Sequence, residues 1–351
     1  MNSYKLLTPG PLTTTDTVKQ VMLFDHCTWD DDYKQITQTI RRTLLALGHV
    51  SEPEYTAVLM QGSGTFGVES VLTSVIGRED KLLIAANGAY GLRMAEICRH
   101  AGIAYTLYEQ DNDKRPQADV VAKYLAEDPA ITHVSMVHGE TTSGILNDVE
   151  AVGREVKAAG KTFLVDAMST FGGVDIPVAS WGIDFLVSSA NKCIQGVPGF
   201  SFILCRRDKL LSSEGKARSL SLDLLDQWKG MEKDGKWRFT SPTHVVLAFS
   251  KALDELAQGV ASPPEAAATR KITACSLRRC GPWALLPTLT AAIKAPLSPL
   301  SSILPGYPSG LKSFTATSRS GDTPSTRVSS PRWIPSASAT SGKFTPRILT
   351  S

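Results

Sequence analysis

The chain has 351 residues, 42% hydrophobic and 20% charged, which calls for about two domains around a sizeable core and excludes a collagen-like or wholly disordered polymer. Its net charge of +3 divides unevenly, because residues 1–259 carry 26 Lys and Arg against 32 Asp and Glu, and residues 260–351 carry 11 against two. No run approaches the roughly 18 apolar residues of a membrane span, and the opening Met1-Asn-Ser-Tyr-Lys5 lacks an apolar leader, so a soluble, cytoplasmic protein without a membrane partner is expected.

Seven short apolar runs follow one another along the body: Ala57–Met60, Lys81–Ala85, Tyr105–Tyr108, His133–Val137, Thr162–Val165, Asp184–Ser188 and Phe202–Cys205. Helical patterns separate them, which predicts an α/β chain with a seven-stranded, mostly parallel sheet. Val149, Val152 and Val156 share one helical face, and Gly160 is placed to end that helix. A last helix is expected from Pro242, at a first-turn position, to Gly259. The six cysteines show no CxxC pairing and no secreted-scaffold density, so reduced thiols are expected and neither zinc nor a disulfide framework is implied.

In such a sheet ligands sit beyond the carboxyl ends of the strands, and three segments there carry chemistry. Gln61-Gly62-Ser63-Gly64-Thr65 opens a helix after the first run. Its small residues let N–H groups and hydroxyls meet an anion at the positive helix end. The spacing matches neither a dinucleotide fingerprint nor a Walker loop, so a single phosphate suits it, as does an ordinary Gly-rich turn. Asp166 follows the fifth run, a carboxylate able to serve a metal, a ribose hydroxyl or a protonated ring nitrogen. Lys192 follows the sixth, among small residues that would desolvate it enough to form a Schiff base near neutrality.

Phosphate loop, carboxylate and lysine in this order describe a pyridoxal phosphate (PLP) site, and longer motifs carry the likeness further. Among them are Asp25-His-Cys-Thr-Trp-Asp-Asp-Asp-Tyr33, Asn87-Gly-Ala-Tyr-Gly91, Val137-His-Gly-Glu-Thr-Thr-Ser-Gly144, Ser188-Ser-Ala-Asn-Lys-Cys-Ile-Gln-Gly196 and Lys236-Trp-Arg-Phe-Thr-Ser-Pro-Thr-His244. On these the chain, from Leu6 to about Gly259, resembles the 2-aminoethylphosphonate–pyruvate transaminase branch of the class V aminotransferases, which have the type I PLP-dependent transferase fold. The resemblance implies a homodimer acting on 2-aminoethylphosphonate and pyruvate, with no nucleic-acid partner. It implies that Lys192 bonds PLP, that Asp166 pairs with the ring nitrogen, and that Ser63, Gly64 and Thr65 bind the phosphate, with Thr240 reaching in from the other subunit. Tyr90 would stack on the ring, and Thr141 would hydrogen-bond near its phenolic oxygen. An alanine–glyoxylate or serine–pyruvate aminotransferase would share these residues. His26, His138 and His244 are expected to be structural, and Cys193 packed rather than nucleophilic.

The resemblance places an N-terminal segment at 1–20 and the PLP-binding large domain at 21–259. Beyond that it stops. Residues 260–351 hold 12 of the 20 prolines and 16 serines, the composition of a linker rather than a folded small domain. Ser336–Thr345 back-translates, in a frame shifted by two nucleotides, to Arg-Ile-Gly-Asn-Ile-Gly-Glu-Val-Tyr, the segment near which the family's small domain ends. The tail therefore reads as an out-of-frame translation, without the arginine that the resemblance assigns to substrate anions, and an impaired PLP-binding remnant is the competing expectation.

Overall fold

All seven apolar runs form strands in the computed structural model, which describes Leu6 and residues 8–259. They are β1 (Tyr55–Gln61), β2 (Lys81–Ala86), β3 (Ala104–Glu109), β4 (Ile131–Val137), β7 (Thr162–Asp166), β8 (Phe185–Ser189) and β9 (Phe200–Arg206). The sheet order is β1-β9-β8-β7-β4-β2-β3. Only β9 runs against its neighbours; the other adjacent pairs are parallel. β7 and β8 are buried along their whole length, as are β9 up to its last residue and β2 after its first. Successive side chains point to opposite faces, so continuous burial means that both faces are covered.

The cover is helical. α1 (Asp16–Gln20) and α2 (Asp31–Leu47) precede the sheet; α3 (Gly64–Val75), α4 (Ala89–Ala101), α5 (Ala118–Glu127) and α6 (Val149–Ala158) are crossovers; α7 (Arg207–Leu211), α8 (Leu224–Asp234) and α9 (Thr243–Ala257) follow. α3 packs on β1, β8 and β9, α4 on β2, β3 and β4, and α6 on β7, while α2 and α8 cover β1. The valine stripe of α6 is buried, the Asp148 carboxylate caps its first turn by accepting from Ala151 N at 2.9 Å, and Gly160 at φ +69° turns the chain out of it. α9 starts one residue later than expected: Pro242 is its N-cap, and its carbonyl accepts the first helical bond from Val246 N at 3.0 Å.

Unanticipated is a small ribbon of β5 (Gly139–Glu140) against β6 (Ile145–Leu146). Two-residue strands have no readable period. The expected tail at 260–351 lies outside the described residues. Among the described residues no helix is long and apolar enough to cross a membrane.

Candidate active site

The parallel strands β4, β7 and β8 all deliver their carboxyl ends to one edge of the sheet, and there the first turn of α3 meets them. A cavity of about 520 Å³ opens at this edge, lined among others by Ser63, Gly64, Thr65, Tyr90, Thr141, Asp166 and Lys192. The topology thus collects residues 129 positions apart in sequence. Of the expected site residues only Thr240 is elsewhere: it is exposed on the loop before α9 and is not among the cavity residues.

The loop entering α3 is made by Gly62, whose φ of +118° is open to glycine and disfavoured for other residues. Ser63 is the N-cap of α3, but its hydroxyl makes no capping bond. The hydroxyl and the first-turn N–H groups of α3, which have no acceptor within the helix, are therefore available to an anion.

Asp166 ends β7 and is only 5% exposed. Its carboxylate accepts one bond from Met168 N at 2.9 Å. Burial pushes its pKa up to about 6; the Met168 N–H, Arg93 and Lys192 pull it down, and Glu140 pushes it further up. A carboxylate this buried and this thinly solvated favours a cation placed against it. Lys192, three residues beyond β8, is half-buried. The N-terminal segment lies on it: Gly10 has φ +150°, and a Cβ there would sit 2.6 Å from Lys192 Nζ. Leu12 N donates to Asn191 O at 3.4 Å, holding that segment in place.

Some of the constellation was not anticipated. Pro11 and Arg93 line the cavity, and the Arg93 guanidinium lies 4.9 Å from the centre of the Tyr90 ring. The i, i+3 spacing of Tyr90 and Arg93 on one helix was a readable signal. Glu140, 1% exposed, ties two pieces together through three donors. It accepts from Thr142 N at 3.1 Å and Thr142 Oγ1 at 2.6 Å, and from Tyr90 N at 3.3 Å. One carboxylate therefore fixes both the turn carrying Thr141 and the first turn of α4 carrying Tyr90. Glu140→Ala leaves these donors without an acceptor, and denaturant unfolding should report a loss of about 1–3 kcal/mol.

The histidines stay out of the cavity. His138 Nδ1 lies 2.9 Å from Thr170 Oγ1, its ring meets Trp181 edge-on at 5.5 Å, and burial lowers its pKa to about 4. His26 lies 3.9 Å from Asp32 and His244 3.1 Å from Asp25. Cys193 Sγ donates to Ser169 O at 3.2 Å.

Comparison with known proteins gives this arrangement its context. Residues 27–276 match the family model described as "Aminotransferase class-V". A 2-aminoethylphosphonate–pyruvate transaminase of Lysinibacillus sphaericus is 59% identical over 258 residues, covering 74% of this chain and 70% of that one. One of Klebsiella pneumoniae is 56% identical over 258 residues, covering 73% and 70%. Among solved structures, the pyridoxamine–pyruvate aminotransferase of Mesorhizobium loti superposes with a TM-score of 0.68 at 23% identity, covering 76% of this chain and 68% of that one, and bears on the fold. A family match across most of the chain, together with close relatives over about three quarters of it, makes this chain a member of the class V aminotransferases.

Proposed function

We propose that this aminotransferase exchanges an amino group between 2-aminoethylphosphonate and pyruvate, giving phosphonoacetaldehyde and L-alanine, with PLP as cofactor. The observation that carries the reading is the convergence of Asp166, Lys192 and the open first turn of α3 on one cavity, in a chain 59% identical to a relative of that name.

The residues fit PLP. Asp166 is a buried carboxylate with a single N–H donor and a raised pKa, suited to a cationic ring nitrogen. The uncapped start of α3 suits a phosphate. When bound, PLP supplies the electron-withdrawing ring that makes an α-proton acidic. Ser63, Gly64 and Thr65 would hold its phosphate, Tyr90 would stack on the ring, and Thr141 would hydrogen-bond at its edge. Asp166 would keep the ring nitrogen protonated. Lys192 Nζ would anchor the cofactor, give way to the substrate amine, and as a free amine remove the α-proton and deliver it to the cofactor carbon on the other side of the shared nitrogen. The same lysine then acts as leaving group and as base.

Thr240 is exposed and outside the cavity of its own chain, which supports a homodimer in which it serves the partner's phosphate. Cys27, Cys98 and Cys205 are free thiols, in keeping with a reducing cytoplasm.

The test is a panel of amino donors. Release of alanine from pyruvate is expected with 2-aminoethylphosphonate, and turnover with serine alone, or of alanine with glyoxylate alone, would overturn the assignment. A second arm reads residues 260–351 in the alternative frame. Regaining a desolvated arginine against the substrate anion is expected to improve substrate affinity by roughly 30-fold or more; equal KM values for both chains would reject the out-of-frame reading.

A further inference from the structure

The amino ends of β4 and β7, at the edge of the sheet away from the active site, frame a second hollow. It has a volume of about 310 Å³, room for roughly ten waters, and is lined by Asp80, Thr132, His133, Lys161, Thr162, Lys209, Ser212 and Lys216 among others. His133 and Thr162 are partners in the parallel register of β4 and β7, so their side chains stand next to each other on one face. Both are buried, at 5% and 7% exposure. His133 Nδ1 lies 2.7 Å from Thr132 Oγ1, while His133 Nε2 and Thr162 Oγ1 have no hydrogen-bond partner among the described residues and are not sealed from solvent.

The charges of the hollow do not cancel. Its one carboxylate, Asp80, is already engaged, accepting from Gly77 N at 2.8 Å and from Lys216 Nζ at 3.0 Å. Lys161 Nζ donates to Pro129 O at 3.2 Å. Lys209 Nζ makes no hydrogen bond among the described residues; it is near enough to lower the pKa of the buried Asp184 and to oppose protonation of His133. The lining sets three ammonium groups against one carboxylate, with Asp184 and Asp128 behind it near Lys209 and Lys161; a free hydroxyl and a free ring nitrogen between the lysines let the pocket donate to several oxygens of an oxyanion.

We propose that this hollow is a second ligand site, separate from the active site, that binds a phosphorus oxyanion through His133, Thr162, Lys209 and Lys216. It shares no residue with the catalytic cavity; β7 joins the two, with Thr162 at one end and Asp166 at the other. A phosphorus oxyanion carries up to two charges on three or four oxygens, enough to use the separated donors. Burial lowers the His133 pKa to about 4, with Lys216 and Lys209 adding to the effect and Asp80 opposing it. A bound dianion supplies the missing counter-charge and raises it.

The test uses the full chain loaded with PLP and labelled with 15N-histidine, titrated with inorganic phosphate and, in a second arm, with methylphosphonate. Ionic strength is held constant with chloride. Saturable movement of the His133 ring signals, assigned with a His133→Gln variant, is expected in at least one arm, and which arm is tighter separates free phosphate from an organic phosphonate. Lys209→Met, which breaks no hydrogen bond, should weaken the midpoint about tenfold or more and leave turnover unchanged. Thr162→Val, which keeps the shape, should weaken it less. Calorimetry with phosphate provides the same comparison without the assignment. Equal shifts in chloride alone, no saturation, or an unchanged midpoint in both variants would overturn the proposal.

Discussion

Lys192→Ala is expected to lower transamination by at least roughly 10³-fold and to abolish the absorbance band near the visible edge that PLP gives when joined to the protein. The size follows from the lack of a substitute. Apart from Lys192, the cationic side chain of the cavity is Arg93, whose guanidinium does not release a proton in the working range. The described histidines lie outside the cavity, and Asp166 is the carboxylate proposed to face the ring nitrogen. Losing the ε-amine removes anchor and base together, so the two defects should not behave as independent factors. Folding should be nearly untouched, within about 1 kcal/mol, because the side chain is half-buried and Gly10, which has no side chain, lies against it. Addition of a small primary amine should restore part of the rate if proton transfer is the missing step. A variant that keeps the band, or turns over within tenfold of the parent, would remove Lys192 from this role.

How far the sequence could be read depended on the distance over which each signal acts. The seven strands were legible because burial on both faces leaves continuous apolar runs such as Phe163-Leu-Val165 and Phe202-Ile-Leu204. Asp166 and Lys192 were legible because each stands at or within three residues of the end of such a run, and the topology sends both strand ends to one edge. Glu140 was not assigned a role because it acts through the tertiary fold, reaching Tyr90 N across 50 residues; Arg93, three residues from Tyr90 on one helix, carried a local signal that was not used. Gly10 and Pro11 fall within the stretch of resemblance that begins at Leu6, but nothing in the spacing says that the N-terminal segment lies against Lys192. The hollow at the amino ends of β4 and β7 was invisible for the same reason. Its residues come from four separate stretches, and one of them, His133, reads as an interior strand residue. Thr240 belongs to a further class, as its expected role is in another subunit and cannot be read from the geometry of one chain.

Asp166→Asn is expected to split activity from stability in opposite directions. Asparagine keeps the acceptor for Met168 N but removes the charge that would hold a ring nitrogen protonated, so turnover should fall roughly 10²–10³-fold. The apoprotein, by contrast, should become more stable near neutral pH. In the wild type the Asp166 pKa is raised from an ordinary 3.8 to about 6. Between these values the native state holds a proton that the unfolded chain has released, and stability therefore declines as pH rises through the window. The full cost, on the order of 3 kcal/mol, persists above pH 6 and is absent in the variant. His133 and His138 act with the opposite sign: their pKa values are lowered from 6.5 to about 4, so stability rises with pH between those limits. Both histidines are present in parent and variant, and their contribution cancels in the difference. Denaturant unfolding of the two apoproteins at several pH values should thus show equal stability near pH 3 and a gap that opens in favour of Asp166→Asn up to about pH 7. PLP should close that gap by giving the wild-type carboxylate its cation. A gap of zero at pH 7, or one that favours the wild-type apoprotein, would mean that Asp166 already has its counter-charge within the protein and is not waiting for a ring nitrogen.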